Sequence, residues 1–229
     1  MEKLDVVFED NHIIVVNKPQ NILSQSDNTQ DEDMLSIVKN HIKQKYNKPG
    51  NVFVGLVHRL DRPTGGLMVF ARNSKSAKRL SEQIASGQFH KQYLAVVENP
   101  LKAQQGHLED YIKKDSKTNM VRLCPQSEMG AKKAVLDYKL LDKAQNLSLL
   151  SVVIATGRPH QIRVQLSNIK NPLFGDFKYG AKMGKTDKLA LWAHKLEFVH
   201  PVSKAIMKFT SLPDQNSEPW NLFKLEKLV

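Results

Sequence analysis

Hydrophobic and polar positions alternate between two rhythms along this chain. Leu4 to Phe8 and Ile13 to Val16 are short β-branched, apolar runs around the acidic turn Glu9-Asp10-Asn11, a pattern that predicts a strand pair. Residues 20–33 are polar and read as a loop. Met34, Leu35, Ile37, Val38, His41, Ile42 and Tyr46 then recur at three-to-four spacing, which predicts an amphipathic helix capped by Asp33 and ended by Asn47-Lys48-Pro49-Gly50. Val54 to Val57 and Leu67 to Ala71 predict two more strands. Asn73 or Ser74 begins a second helix with Ala77, Leu80 and Ile84 inward and Gly87 as its stop.

The second half is richer in strands. Lys91 to Val97 reads as one, and the polar span 101–146 contains alternating fragments, Met120 to Leu123 and Ala134 to Leu140, that predict short antiparallel strands. Leu147 to Ala155 is a strongly apolar strand. Pro159 suits a first helical position, so 159–168 reads as a short helix with His160, Arg163 and Ser167 on one face. Leu189 to His194 and Ile206 to Thr210 predict strands, and Glu218 to Leu228 a terminal helix. With no repeat and no evident linker, this order favours an α+β class over a doubly wound α/β sheet.

Composition narrows the function. The 229 residues suffice for a sizeable core, and 41% hydrophobic with 25% charged residues is ordinary for a globular chain. Lys and Arg number 34 against 23 Asp and Glu, a net charge of +11, which points to a polyanionic partner such as nucleic acid. No apolar run approaches the ~18 residues of a membrane span. The opening MEKLDVVFED is acidic where a secretory leader is basic and then apolar, so neither membrane nor export is expected. The single cysteine, Cys124, excludes an internal disulfide and fits a cytoplasmic setting. The eight histidines lack ligand spacing, so no metal is expected. Gly184-Lys185-Thr186 is similar to the end of a P-loop, but Gly180 lies one position off the required spacing and no strand precedes it, which argues against triphosphate binding. No helix-turn-helix, finger or basic zipper supports a DNA-binding reading.

The richest chemistry lies in His58-Arg59-Leu60-Asp61-Arg62-Pro63-Thr64-Gly65-Gly66. It sets a carboxylate between two guanidinium groups on a loop joining two strands. Arg59 and Arg62 would favour ionised Asp61. Pro63 fixes the backbone, and Gly65-Gly66 let it turn back or approach a ligand closely. Taken alone, the segment reads equally well as an ion-paired surface turn.

The stretch resembles the catalytic signature of the RluA/RluD family of pseudouridine synthases, and further segments match that family in order. Val15-Val16-Asn17-Lys18-Pro19 resembles its N-terminal Lys-Pro strand. Lys91-Gln92-Tyr93-Leu94-Ala95 resembles its tyrosine motif. Thr156-Gly157-Arg158-Pro159-His160-Gln161-Ile162-Arg163 resembles its arginine motif. Gly175-Asp176-Phe177-Lys178-Tyr179-Gly180 and Ala193-His194 through His200-Pro201 resemble its C-terminal signatures. Two departures stand out: Gly65 replaces the serine of a Thr-Ser-Gly turn, and Gln20-Asn21 replaces a small residue and glycine after Lys-Pro.

The resemblance implies a large, mostly antiparallel mixed sheet with flanking helices and a central RNA-binding cleft. It implies one catalytic domain over 1–229, without the extra N-terminal RNA-binding domain that some relatives carry. The activity implied is isomerisation of specific uridines in structured ribosomal or transfer RNA, with no cofactor and no metal, by a cytoplasmic monomer. It makes Asp61 the catalytic carboxylate, Arg163 its basic partner and Tyr93 the active-site tyrosine. Arg59 is implied in base flipping; His58 reads as structural or as an RNA contact, Lys91 as a phosphate contact or an exposed side chain, and Arg62, Arg158 and His160 are further candidates for substrate binding. Lysines 113, 114, 117, 132, 133, 182, 185 and 188 are candidates to track phosphates. A catalytically silent RNA-binding protein of the same fold is the alternative; intact Asp61, Tyr93 and Arg163 favour the enzyme.

Overall fold

A computed structural model of the chain describes residues 4–27, 29, 31–115, 117–184 and 189–227. Lys185, Thr186 and Lys188 therefore lie outside the described residues. The chain divides into two compact units, Met1–Lys91 with Ala193–Ser211 and Gln92–Trp192 with Leu212–Val229.

In the first unit, β1 (Val6–Glu9) and β2 (Ile13–Lys18) form the hairpin expected around the acidic turn. β2 pairs antiparallel with β4 (Gly65–Ala71), and the two-residue β3 (Gly55–Leu56) joins β4. β4 also neighbours β10 (Leu191–Val199), which turns back into β11 (Ile206–Thr210). Alternate residues on one face form a core: Ile13 and Val15 of β2, Leu67, Val69 and Ala71 of β4, Leu196 and Phe198 of β10, with Phe89. The intervening Ile14, Val16, Met68 and Phe70 are also buried, so β2 and β4 are covered on both faces and read as continuous apolar runs.

Helix α1 (Met34–Lys45) begins where Asp33 accepts a hydrogen bond from Ser36 N–H, and it buries Met34, Val38 and Ile42 as a single i, i+4, i+8 stripe. Helix α2 (Ser74–Ala85) is capped by Asn73 and sends Leu80 into the core, with Ala77 and Ile84 against it. Such caps stabilise a helix by about 1 kcal/mol.

The second unit is an antiparallel sheet in the order β5 (His90–Glu98), β9 (Leu147–Ile154), β8 (Lys132–Ala144), β6 (Gln105–Lys114), β7 (Val121–Leu123). The span read as short fragments holds a ten-residue and a thirteen-residue strand. Both expose polar side chains in alternation, and cross-strand pairs such as Lys133–Glu109 support them where apolar periodicity is thin. One core joins Leu94, Val96, Leu147, Leu149, Phe174 and Trp220. A smaller one joins Ile112, Val121, Ala134, Val164 and Tyr179.

Three expectations are corrected. Helix α3 runs Gln161–Asn168, so Pro159 precedes it and His160 holds the cap position in the left-handed region, φ 51°. Its residues Gln161 to Leu166 are all buried, because Gln161 and Gln165 spend their amides on the sheet: Gln161 Nε2 donates to Val135 O, and Gln165 Nε2 to Asp110 Oδ2. The terminal helix is replaced by two 3₁₀ turns, Trp220–Leu222 and Leu225–Lys227. Burial of Trp220, Phe223 and Leu225 fixes those turns, at a spacing that no single helical face would offer. Gly65 and Gly66 do not form a turn; they begin β4. Gly66 has φ 109° and packs against the backbone of Ala193, space that a Cβ would occupy.

Candidate active site

Asp61 is half-buried at the start of a turn closed by Thr64 N–H donating to Asp61 O (2.9 Å). The turn is fastened on both sides by residues of the first unit. Lys18, the last residue of β2, is fully buried, and its ammonium donates to Pro19 O (2.9 Å), Arg62 O (2.9 Å) and Thr64 O (2.8 Å). Burial pulls the Lys18 pKa down to about 7, while the charge of Asp61 pulls it back up. Three carbonyl acceptors match the three N–H donors of an ammonium, so the charged form is the one this cage is shaped for. Gln20 Nε2 donates to Pro63 O (2.9 Å). Asn21 N–H donates to Arg62 O (2.8 Å), with Asn21 itself at φ 66°. Gln20-Asn21 thus suits this loop: asparagine tolerates the left-handed conformation better than most residues, and glutamine adds a fastening.

The residues flanking Asp61 behave differently from one another. His58 is buried, and its Nε2 accepts from Val69 N–H (3.1 Å), which fixes Nδ1 as the protonated nitrogen. Desolvation, with Lys91 nearby, drives the His58 pKa down to about 3, so the ring is neutral. Its ring packs 5.4 Å from that of Phe89. Arg62 is exposed and engaged with Asn21 O (3.1 Å) and Asp31 (2.8 Å). Arg59 is exposed and makes no hydrogen bond or ion pair among the described residues. Lys91 is half-buried with its ammonium 6.0 Å above the Phe89 ring, and burial lowers its pKa.

In the second unit, Tyr93 is a buried residue of β5 opposite Val152. Arg163 sits on α3 and forms a bidentate pair with Asp176: Nε to Oδ2 and Nη2 to Oδ1, each 2.7 Å. The guanidinium also lies 5.0 Å over the Tyr179 ring. Tyr179 OH accepts from Val121 N–H (2.9 Å) and meets His160 Nδ1 at 2.7 Å. Arg163 and His160 are therefore joined through Tyr179. Arg158 is exposed, its Nε donating to Lys133 O (3.1 Å). Its backbone N–H and the Thr156 hydroxyl both donate to Gln161 Oε1, which locks the Thr-Gly-Arg turn onto α3.

Three participants had a weak signal in the sequence. Asp176 and Tyr179 lie in a C-terminal signature, Gly175 to Gly180, that by itself implies a role for neither. Lys18 is a charged residue ending an otherwise buried strand. Among the lysines named as phosphate contacts, Lys113 pairs with Glu128 (3.0 Å) and Lys133 with Glu109 (2.7 Å), while Lys114, Lys117, Lys132 and Lys182 are exposed. Among the described residues no cluster of His, Cys, Asp and Glu could hold a metal ion, and no helix is long and apolar enough to cross a membrane.

Known proteins resemble this chain in sequence and in fold. A family model described as RNA pseudouridylate synthase matches residues 12–168. The ribosomal large subunit pseudouridine synthase D of Borreliella burgdorferi is 33% identical over 211 residues, covering 90% of this chain and 64% of its own length. The protein of the same name from Zymomonas mobilis is 31% identical over 233 residues, covering 97% of this chain and 72% of its own. The chain thus spans about two thirds of the length of these curated relatives. Among solved structures, human RNA pseudouridylate synthase domain containing 4 superposes with a TM-score of 0.77 at 21% identity, covering 92% of this chain and 89% of that one, which shows a shared fold. The matched segment contains the Asp61 turn, Tyr93 and Arg163, and on these grounds the chain belongs to the RNA pseudouridylate synthase family.

Proposed function

We propose that the protein is an RNA pseudouridine synthase in which Asp61 is the catalytic carboxylate. The observation that carries this reading is the Asp61 turn itself. Inside a matched family segment, a half-buried aspartate is presented by a backbone anchored at Lys18, Gln20 and Asn21. So many fastenings around one carboxylate suit chemistry that needs a fixed orientation.

The reaction balances without any outside reagent. The bond between ribose C1′ and uracil N1 breaks, the base rotates, and C1′ joins C5. The proton on C5 leaves and N1 gains one, so the product is an isomer. A side-chain carboxylate supplies the nucleophile or the base, and its attack on C1′, its attack on the ring and abstraction of the ribose 2′ proton are all chemically open to it. Tyr93 and Arg163 enter the reaction by their motifs, as ring partner for the uracil and as the basic partner that keeps Asp61 ionised and oriented. The target base must leave its stack to reach Asp61, with Arg59 as the wedge.

The name shared by the two bacterial relatives supports large-subunit ribosomal RNA as the substrate, with transfer RNA as the other RNA to assay. The excess of 34 basic over 23 acidic residues supports an RNA partner held through phosphate. We further propose one catalytic region acting as a cytoplasmic monomer. The test is Asp61→Asn, nearly isosteric but neither nucleophile nor base. The variant is expected to fold and bind RNA while releasing no tritium from RNA labelled at uracil C5. Tritium release at the parent rate would remove Asp61 from the chemistry. Inactivity of the parent on every RNA from cells lacking the gene would favour a silent RNA-binding protein.

A further inference from the structure

The residue before Asp61 has an unusual partner. Leu60 is buried and lies outside any strand, so both its backbone N–H and its C=O need partners that water cannot supply. One side chain meets both needs. Ser24 Oγ donates to Leu60 O (2.7 Å) and accepts from Leu60 N–H (3.1 Å). A hydroxyl is the smallest group able to donate and accept from one atom. Here it does for Leu60 what a neighbouring strand does for a residue in a sheet.

Ser24 is itself held. It is 6% exposed, and the preceding Leu23 bridges Asp33 while its carbonyl accepts from Met34 N–H (2.8 Å) at the start of α1. Asp33 caps that helix through Ser36. The mechanical path is short: capped helix, Leu23, Ser24, Leu60, Asp61. On the far side, Lys18 grips Arg62 O and Thr64 O. Asp61 thus sits between two anchors, a hydroxyl before it and an ammonium after it.

We infer that Ser24 is a positioning residue for the reaction, aiming the Asp61 carboxylate by fixing both backbone groups of Leu60. This rests on the reading of Asp61 as the catalytic carboxylate. Ser24 is buried and acts through the peptide that joins Leu60 to Asp61. Its loss frees that peptide to rotate and moves the carboxylate from its attack geometry, and displacements near 1 Å cost roughly 100-fold in rate.

The test uses single-turnover kinetics on RNA tritiated at uracil C5 and isolated from cells lacking the gene. The maximal rate and the half-saturating enzyme concentration are read separately, well below each variant's melting midpoint. Ser24→Ala is expected to lower the maximal rate by about 10- to 100-fold with the half-saturating concentration unchanged. Ser24→Thr, which restores the hydroxyl, should recover most of the rate. Ser24→Cys keeps the size with a weak donor and acceptor, so it should fall between and keeps the test open should the alanine variant fail to fold.

Equal maximal rates for serine, cysteine and alanine, or an effect confined to melting temperature, would overturn the inference. Asp61→Asn run in parallel separates the two readings. An inactive Asp61→Asn beside a normal Ser24→Ala removes only the role of Ser24. An active Asp61→Asn removes the premise.

Discussion

Arg163 and Asp176 meet through two parallel 2.7 Å hydrogen bonds, with both side chains almost wholly removed from water. A planar fork facing a carboxylate is the geometry arginine favours. Asp176 comes from the loop after α3, so the pair ties that loop to the helix that carries Arg163. The Tyr179 ring beneath the guanidinium then fixes its plane. Arg163 is thus oriented by Asp176 and Tyr179, two residues of one C-terminal signature.

Breaking that pair should be costly. Asp176→Asn removes the charge of one member of a buried, doubly hydrogen-bonded pair, and such losses destabilise by about 3–5 kcal/mol. The expected result is a lower urea midpoint with an unchanged slope. The double variant Arg163→Met with Asp176→Leu should lose less stability than Asp176→Asn alone, because both members of the pair are replaced together by apolar side chains. A midpoint for Asp176→Asn equal to the parent's would show that the pair contributes nothing net.

The neutral histidine at the root of the Asp61 loop predicts an acid sensitivity. Its folded pKa, about 3, lies below the ordinary 6.5, chiefly through desolvation. Between those values the unfolded chain binds a proton that the folded chain does not. Stability therefore falls as pH drops from 6.5 toward 3, and the penalty is constant below 3. From pH 7 to pH 4 the contribution is about 3 kcal/mol. His58→Gln offers Val69 N–H an acceptor without a titrating ring, so its stability should decline less steeply with acid, by about one proton. Parallel pH profiles for parent and variant would refute the assignment.

How much of this was legible in the sequence follows physical lines. Elements with strong apolar periodicity or explicit caps, such as β2, β4 and α1 with Asp33, appeared where the pattern placed them, because local preference and core burial agree there. The polar strands β6 and β8 are longer than their apolar fragments indicate, since they are held by pairing with strands distant in sequence, β6 with β8 and β8 with β9. Helix α3 starts two residues after Pro159, and the burial of Gln161 and Gln165 had no signal in the sequence, because their amides are satisfied by hydrogen bonds to distant strands of the sheet. Within the site, Asp61 stood out through its neighbours in sequence. Ser24 could not: it lies 36 positions from Leu60, in a polar segment with no periodicity.

Arg59 gives the most direct test of base extrusion. It sits two residues before Asp61, exposed, and no hydrogen bond or ion pair among the described residues restrains it. An ion pair with Asp61 was the competing role for this side chain, and its present freedom favours a group that reaches RNA. A guanidinium plane can occupy the gap left by an extruded base and stack on its neighbours. Stacking contributes about 1–3 kcal/mol per base, so Arg59→Ala should slow pseudouridine formation by roughly 10- to 100-fold. Its melting midpoint should match the parent's, since an exposed side chain without partners holds nothing in place. A 2-aminopurine beside the target uridine should brighten when the parent binds and brighten much less with Arg59→Ala. Normal brightening with slow chemistry would instead assign Arg59 to the reaction at Asp61, and the flipping role would be abandoned.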